Sequence, residues 1–310
     1  MKKVAIIGAG NVGSEAARYL AYKGIAHIVL LDIVEGIAKG KSLDLLHAGP
    51  IECATVSIEG TSDYGPIENS DVVIITAGKP RKPGMSREEL LKVNFDIVSG
   101  IAEKVKEYAP NSVVIVVSNP LDAMVYTTYK ITGFPRERVM GMAGLLDSAR
   151  FAAFIAQEVG VSPADVRAMV MGTHGDLMVP LTRFTTINGI PATEFLSEDK
   201  LKEIVEKTRF AGGEIVKLMG TSAWFAPGDA AAFMAEAVLL DTNRVLSASV
   251  YLTGEYGING VFVGVPVVLG WGGVKRILEV KLTEEEMEAL KKSADHIKEL
   301  QEQVDELLKG

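Results

Sequence analysis

Cysteine is nearly absent from this sequence. Cys53 is the only one in 310 residues. A single thiol excludes intramolecular disulfides and cysteine-rich zinc sites, and it fits a reducing cytoplasm. No metal site is expected. Glutamine is also scarce, with only Gln157, Gln301 and Gln303, a composition that leans toward a thermophilic source. No apolar run reaches the roughly 18 residues of a membrane-spanning helix. The first residues lead straight into a strand-like run, so no secretory signal is expected. Positive charge is in deficit. A formal net charge of −8 argues against a general nucleic-acid or anionic-membrane binder. Internal repeats and low-complexity segments are lacking. What remains is a globular composition, 48% hydrophobic and 23% charged, long enough for two domains.

The stretch Val4-Ala5-Ile6-Ile7-Gly8-Ala9-Gly10-Asn11-Val12-Gly13 organises the chain. A β-branched run apolar on both faces reads as a buried parallel strand. It ends in G-x-G-x-x-G, and a helical pattern follows at once. Gly8 permits the tight turn. Gly10 permits close approach of a pyrophosphate. Gly13 permits the helix to pack against the strand. The helix N-terminus then offers free N–H groups and partial positive charge to phosphates. A second strand, His27 to Leu31, ends in Asp32, 19 residues past Gly13. That spacing suits a ribose-binding carboxylate and a preference for NAD.

Val4–Ile7, His27–Leu31, Asp71–Ile75 and Val113–Val117 read as core strands, with a weaker one at Ala54–Glu59. Helical spacing fills Val12–Lys23, Ile37–His47 and Arg87–Tyr108. This alternation predicts an α/β fold with a doubly wound parallel sheet. Such sheets bind ligands at the carboxyl ends of their strands. Those ends are Gly8–Gly13, Asp32, Thr76-Ala77-Gly78 and Ser118-Asn119-Pro120. The texture changes after about residue 145. A helix at Leu145–Val159, a strand at Val166–Met171 and a hairpin turning at Asn188-Gly189 are expected. Helices at Glu198–Met219 and Ala230–Arg244 follow, then paired strands between Val250 and Leu269. The last helix opens on a capping box of Thr283 and Glu286.

His27, His47 and His296 fall on a strand, a helix end and an amphipathic helix, where structural or surface roles suffice. His174 sits in Gly172-Thr173-His174-Gly175-Asp176, just past a strand end. Such loops carry catalytic groups disproportionately, and imidazole titrates in the range needed to exchange a proton with an alcohol. A solvated turn histidine is the competing reading. Asp147 and Arg150 lie at i and i+3 and share a helix face. They read either as a simple ion pair or as two tools. In the second reading Asp147 orients the His174 ring, and Arg150 grips a substrate carboxylate with its planar fork. From Lys79 to Lys92 the chain carries five basic and two acidic residues, with two prolines and Gly84. This is either a solvated basic turn or a lid that closes arginines onto an anion. The Asn119 amide is placed to hydrogen-bond a substrate oxygen, and the Asn119-Pro120 bond is a candidate cis peptide.

Taken together, these residues resemble the lactate/malate dehydrogenase family nearly from end to end. The likeness runs through Gly8–Gly13, Asp32, Thr76–Gly78, Arg81–Arg87, Ser118–Pro120, Asp147–Arg150, Gly172–Asp176, Ser222–Pro227 and Gly264–Gly270. Within the family the chain is most similar to the malate dehydrogenases of lactate dehydrogenase-like sequence. The resemblance implies a Rossmann-type NAD-binding domain, here 1–143, and a mixed α/β substrate domain, 144–310. It implies His174 as acid/base, Asp147 as its partner, Arg150 on the C1 carboxylate, and Arg87 polarising the reacting carbonyl. Arg81 takes the specificity position, where lactate enzymes usually carry a neutral residue. Cofactor contacts are implied at Gly8, Gly10, Asn11, Val12, Gly13, Asp32, Thr76, Ala77, Gly78, Asn94, Val117 and Asn119. Ser222-Ala223 lies where the substrate domain approaches the nicotinamide. Between a homodimer and a homotetramer, both left open by the residues, the resemblance favours the tetramer. Gly228-Asp229 departs from the small apolar residues usual there, which puts local helix packing in question.

The expected reaction is therefore reversible hydride transfer between NAD and malate. A lactate or other 2-hydroxyacid dehydrogenase is the nearest rival, opposed by Arg81. A nicotinamide-dependent glycosidase would be expected to carry a metal-binding cysteine in its substrate domain, whereas Cys53 lies in the first. A non-catalytic NAD-binding protein would have no use for His174, Asp147 and three placed arginines.

Overall fold

The computed structural model describes residues 1–80 and 86–309. The first half alternates strand and helix: β1 (Lys3–Ile7), α1 (Asn11–Lys23), β2 (His27–Leu31), α2 (Glu35–Ala48), β3 (Ile58–Thr61), β4 (Val72–Ile75), α3 (Arg87–Tyr108), β5 (Val113–Val116), α4 (Leu121–Thr132) and β6 (Val139–Gly141). These six strands are parallel and lie in the order β3-β2-β1-β4-β5-β6. The order reverses between β1 and β4, which opens a crevice at their carboxyl ends. Valine and isoleucine fill β4 and β5, and every residue of both is buried. Alternate side chains feed two cores. Val4 and Ile6 pack with α1, while Ala5 and Ile7 pack with α3 and α4.

The second half begins with α5 (Gly144–Val159). Short strands follow: β7 (Val166–Arg167), β8 (Val170–Met171), β9 (Val179–Pro180), β10 (Thr186–Ile187) and β11 (Ile190–Pro191). Then come α6 (Glu198–Met219), α7 (Phe225–Leu239), β12 (Arg244–Thr253), β13 (Asn259–Gly270), β14 (Gly273–Ile277) and α8 (Glu284–Leu307). The antiparallel run β12–β14 joins the sheet beyond β6 and extends it to nine strands. Its link to β6 is the single pair Ser249–Gly141.

Several elements differ from the sequence expectation. The weak strand shifts to Ile58–Thr61, because residues 54–57 bridge from the turn at Cys53, whose φ is 52°. The helix expected at Ala230–Arg244 is α7, which starts and ends five residues earlier. Pro227 sits in its first turn, where a missing N–H costs nothing, and Arg244 opens β12. The paired strands likewise begin six residues before Val250. The expected strand Val166–Met171 is two short ones in different sheets. Gly228 explains its own oddity. A Cβ there would stand 2.6 Å from the Glu15 Cβ, so glycine lets α7 lie against α1.

Helix α4 and strand β6 were not anticipated. The α4 sequence LDAMVYTTYKIT is rich in β-branched residues, which lower helix propensity. Its threonines turn inward instead. Thr127, Thr128 and Thr132 donate to the carbonyls four residues earlier at 2.7–2.9 Å. That satisfies buried hydroxyls where α4 is enclosed by α3 and α8.

Candidate active site

A cleft of about 540 Å³ opens at the carboxyl ends of β1 and β4, lined by both halves of the chain. On one wall is the glycine turn. Gly8 has φ +112°, and a Cβ on it would stand 2.7 Å from the Ala77 nitrogen. A Cβ on Gly13 would fall on the Gly8 carbonyl oxygen, whereas one on Gly10 meets no described atom within 4 Å. The first and third glycines are thus required by packing. The second leaves open space beside the N-terminus of α1, which has no side-chain cap. Thr76 braces the turn by donating its hydroxyl to the Gly8 carbonyl at 2.9 Å. This donor set fits a dinucleotide pyrophosphate.

Asp32 caps the same turn. Its Oδ2 accepts the Ala9 N–H at 2.8 Å, and its Oδ1 accepts the Val34 N–H at 2.9 Å. Sequence reading missed Lys41, on α2. Its ammonium donates to the Ala9 carbonyl at 2.7 Å, so Asp32 and Lys41 hold the two polar groups of one residue. Burial pushes Lys41 below the usual lysine range, with the Asp32 charge opposing. Lys39 and Lys41 read alike in the sequence; only the fold decides which one reaches the turn.

The loops after β4 and β5 form the cleft floor. Ser118 donates to the Ala77 carbonyl at 2.6 Å. The Asn119-Pro120 peptide is cis. Asn94 lines the cleft, but its amide is committed to main chain. It donates to the carbonyls of Asn119 at 2.6 Å and Lys79 at 3.1 Å, and accepts the Lys79 N–H at 2.7 Å. It is therefore a brace between the two loops. Gly10, Asn11, Val12, Gly13, Thr76, Gly78, Val117 and Asn119 also line the cleft. Arg81 lies outside the described residues. Arg87 opens α3 behind the capping box of Ser86 and Glu89, and its side chain too lies outside the description.

The opposite wall carries His174. Its Nδ1 donates to Asp147 Oδ2 at 2.8 Å. Asp147 is 1% exposed and the imidazole 22%. With Nδ1 engaged, Nε2 is the nitrogen left for exchange, a tautomer assigned from the hydrogen bonds. Asp147 holds the imidazolium form above the ordinary histidine range. Burial and the Arg150 charge oppose it, and a second carboxylate, Asp122, assists. Arg150 donates from Nη1 to Asp147 Oδ1 at 3.3 Å, and its guanidinium packs beside Gly212 of α6. The i, i+3 spacing on α5 thus sets the carboxylate that holds His174 and the Arg150 guanidinium side by side, with His174 and Arg150 lining the cleft. Ser222, Ala223 and Trp224, just before α7, complete the lining.

Two family models match the chain. One, lactate/malate dehydrogenase, NAD binding domain, covers residues 2–141; the other, lactate/malate dehydrogenase, alpha/beta C-terminal domain, covers 145–308. The chain belongs to the lactate/malate dehydrogenase family. It is an NAD-dependent oxidoreductase acting on a CH–OH group. A malate dehydrogenase from Thermomicrobium roseum is 56% identical over 96% of this chain and 97% of that protein. The structure of malate dehydrogenase from Salinibacter ruber matches with a TM-score of 0.95 at 49% identity, over 99% of both chains. A lactate dehydrogenase from Cryptosporidium parvum, solved with lactic acid and nicotinamide adenine dinucleotide, matches with a TM-score of 0.94 at 42% identity, over 98% of both chains.

Proposed function

We propose that this cleft interconverts malate and oxaloacetate with NAD, and that His174 is its proton-transfer group. The observation that carries this reading is the 2.8 Å hydrogen bond from His174 to the buried Asp147 carboxylate, in the cleft that also holds the glycine turn. Bound NAD supplies the hydride acceptor, and NADH the donor. Neutral His174 takes the C2 hydroxyl proton at Nε2 as malate is oxidised. The imidazolium that forms is stabilised by Asp147. Arg150 holds the C1 carboxylate, Arg87 polarises the C2 oxygen and Asn119 bonds to it, which fixes C2 in place. Arg81 meets the second carboxylate. The segment around Arg81 acts as a lid, and excluding water strengthens each of these contacts.

In this reading residues 1–143 form the cofactor-binding domain, which also lends Arg81, Arg87 and Asn119 to the substrate, and 144–310 form the substrate-binding and catalytic domain. Gly8, Gly10, Asn11, Val12, Gly13, Thr76, Ala77, Gly78 and Val117 contact the cofactor, Asp32 binds its ribose, and Asn94 supports those contacts through Asn119 and Lys79. Among the described residues no helix is long and apolar enough to cross a membrane. The single cysteine suits a cytoplasmic enzyme, and the reaction suits the tricarboxylic acid cycle. A homotetramer is favoured by exposed apolar side chains in two places. Ile33, Ile37, Leu43 and Leu46 stand out on and beside α2, and Phe210, Leu218, Met219 and Phe225 on α6 and the start of α7.

The test is NADH oxidation with oxaloacetate and with pyruvate. An arginine facing a methyl group in a closed, dry site would lack a partner, and sites of this kind discriminate by about 10⁴–10⁵. Oxaloacetate is expected to win by a ratio of that order. Arg81→Gln should lower kcat/KM for oxaloacetate by about 2–4 kcal/mol while pyruvate holds or improves. Comparable wild-type use of both acids would overturn the malate reading.

A further inference from the structure

Asp122, the second residue of α4, is a carboxylate that the mechanism above leaves unused. It is 3% exposed. An acidic residue in the first turn of a helix has an ordinary explanation, because it complements the helix dipole. Here both oxygens are spent elsewhere. Oδ2 accepts the Thr173 hydroxyl at 2.6 Å, and Oδ1 accepts the Ser249 hydroxyl of β12 at 3.1 Å. Thr173 is the residue immediately before His174.

The same short loop is fastened from two other sides. The Thr173 N–H donates to the Ser293 hydroxyl of α8 at 2.6 Å. Gly172 exchanges two backbone hydrogen bonds with Gly264 of β13, at 2.8 and 3.1 Å. Three elements distant in sequence, α4, α8 and β13, therefore converge on the two residues that precede the imidazole. Of these fastenings, only Asp122 brings a formal charge. Burial pushes its carboxyl up. The Thr173 and Ser249 hydrogen bonds, then the His174 ring and backbone amide, oppose that push without cancelling it, so the carboxyl stays above its ordinary range. A buried carboxylate of this kind is costly unless its hydrogen bonds are satisfied, and its donors tie it to the His174 loop.

We propose that Asp122 is a positioning residue for His174. Through the Thr173 hydroxyl it fixes the backbone from which the imidazole hangs. That keeps Nδ1 on Asp147 and Nε2 directed at the reacting oxygen. The inference rests on His174 being the acid–base group. It adds that the aim of His174 is set from behind, by α4, as well as from the side, by Asp147.

The experiment measures single-turnover hydride transfer from NADH to oxaloacetate, NADH Kd by fluorescence, and thermal melting. The variants are Asp122→Asn, Thr173→Val, their combination, Thr173→Ser, and His174→Asn as reference. A misplacement of about 1 Å costs on the order of 10²-fold in rate. Asp122→Asn and Thr173→Val should each lose roughly that much with NADH Kd unchanged. The combination should be no worse than either alone, since both remove one linkage. Thr173→Ser keeps the donor and should restore the rate. If Asp122→Asn does not fold, Thr173→Val against Thr173→Ser decides. Wild-type rates in the Asp122 and Thr173 variants, multiplicative losses, or a parallel loss of NADH binding would each overturn the proposal. A His174→Asn enzyme that keeps its rate would instead overturn the reading beneath it.

Discussion

In the proposed mechanism, the charge of His174 decides which direction of the reaction is ready to run. Asp147 lifts its imidazolium above the ordinary value of 6.5. Oxaloacetate reduction needs the proton on His174; malate oxidation needs it off. We therefore expect kcat/KM for oxaloacetate to fall as pH rises through a value above 6.5, and kcat/KM for malate to fall as pH drops below that same value. Asp147→Asn removes the largest upward influence, so both midpoints should move to lower pH. Initial rates across pH in both directions check this; midpoints that stay in place would mean that Asp147 does not tune the imidazole. The same raised pKa adds stability that is fully present below the unfolded value near 6.5 and is lost as pH rises through the folded one. His174, Asp147 and Arg150 could be picked out as candidates because a loop after a strand end and an i, i+3 pair are local features; that they work together was implied only by the family resemblance. Lys41 and Asp122 were not. Each acts on a residue far along the chain, Ala9 and Thr173, and no local pattern links the partners.

At the scale of elements, the glycine turn separates folding from binding. A Cβ on Gly13 would drive α1 away from β1, and overpacking of that kind costs about 1–3 kcal/mol. A Cβ on Gly10 enters open space at an ordinary φ of −67°. Gly13→Ala should lower both the Tm and NADH affinity. Gly10→Ala should leave the Tm in place and weaken NADH alone. Melting curves beside fluorescence titration distinguish the two, and equal effects on Tm would contradict the assigned roles. The buried parallel strands β1, β2, β4 and β5 were legible as β-branched runs. The helices α1, α3 and α6 were legible from amphipathic spacing, and α8 from its spacing and its capping box. Helix α4 was not, because it is enclosed on nearly every side and five of its twelve residues, Val125, Thr127, Thr128, Ile131 and Thr132, are β-branched. Its burial and its back-bonded hydroxyls hold it helical against its propensity.

The whole molecule rests on one sheet that runs through both halves, and its junction could not be read from sequence. Gly141 and Ser249 meet across more than a hundred residues, through one bridge. The exposed apolar side chains do carry a consequence at this scale. Ile33, Ile37, Leu43 and Leu46 are all exposed on or beside α2, and grouped apolar side chains of this kind mark interaction sites. Sedimentation velocity should find a homotetramer, and Ile37→Glu on α2 should shift it toward smaller species; a wild-type monomer would contradict this. The central claim is narrower, that one imidazole moves the proton. The most direct measurement is single-turnover hydride transfer from NADH to oxaloacetate in His174→Asn. The expected result is a rate lower by about 10²–10⁴ with NADH affinity intact. A near-wild-type rate in that variant would contradict the account.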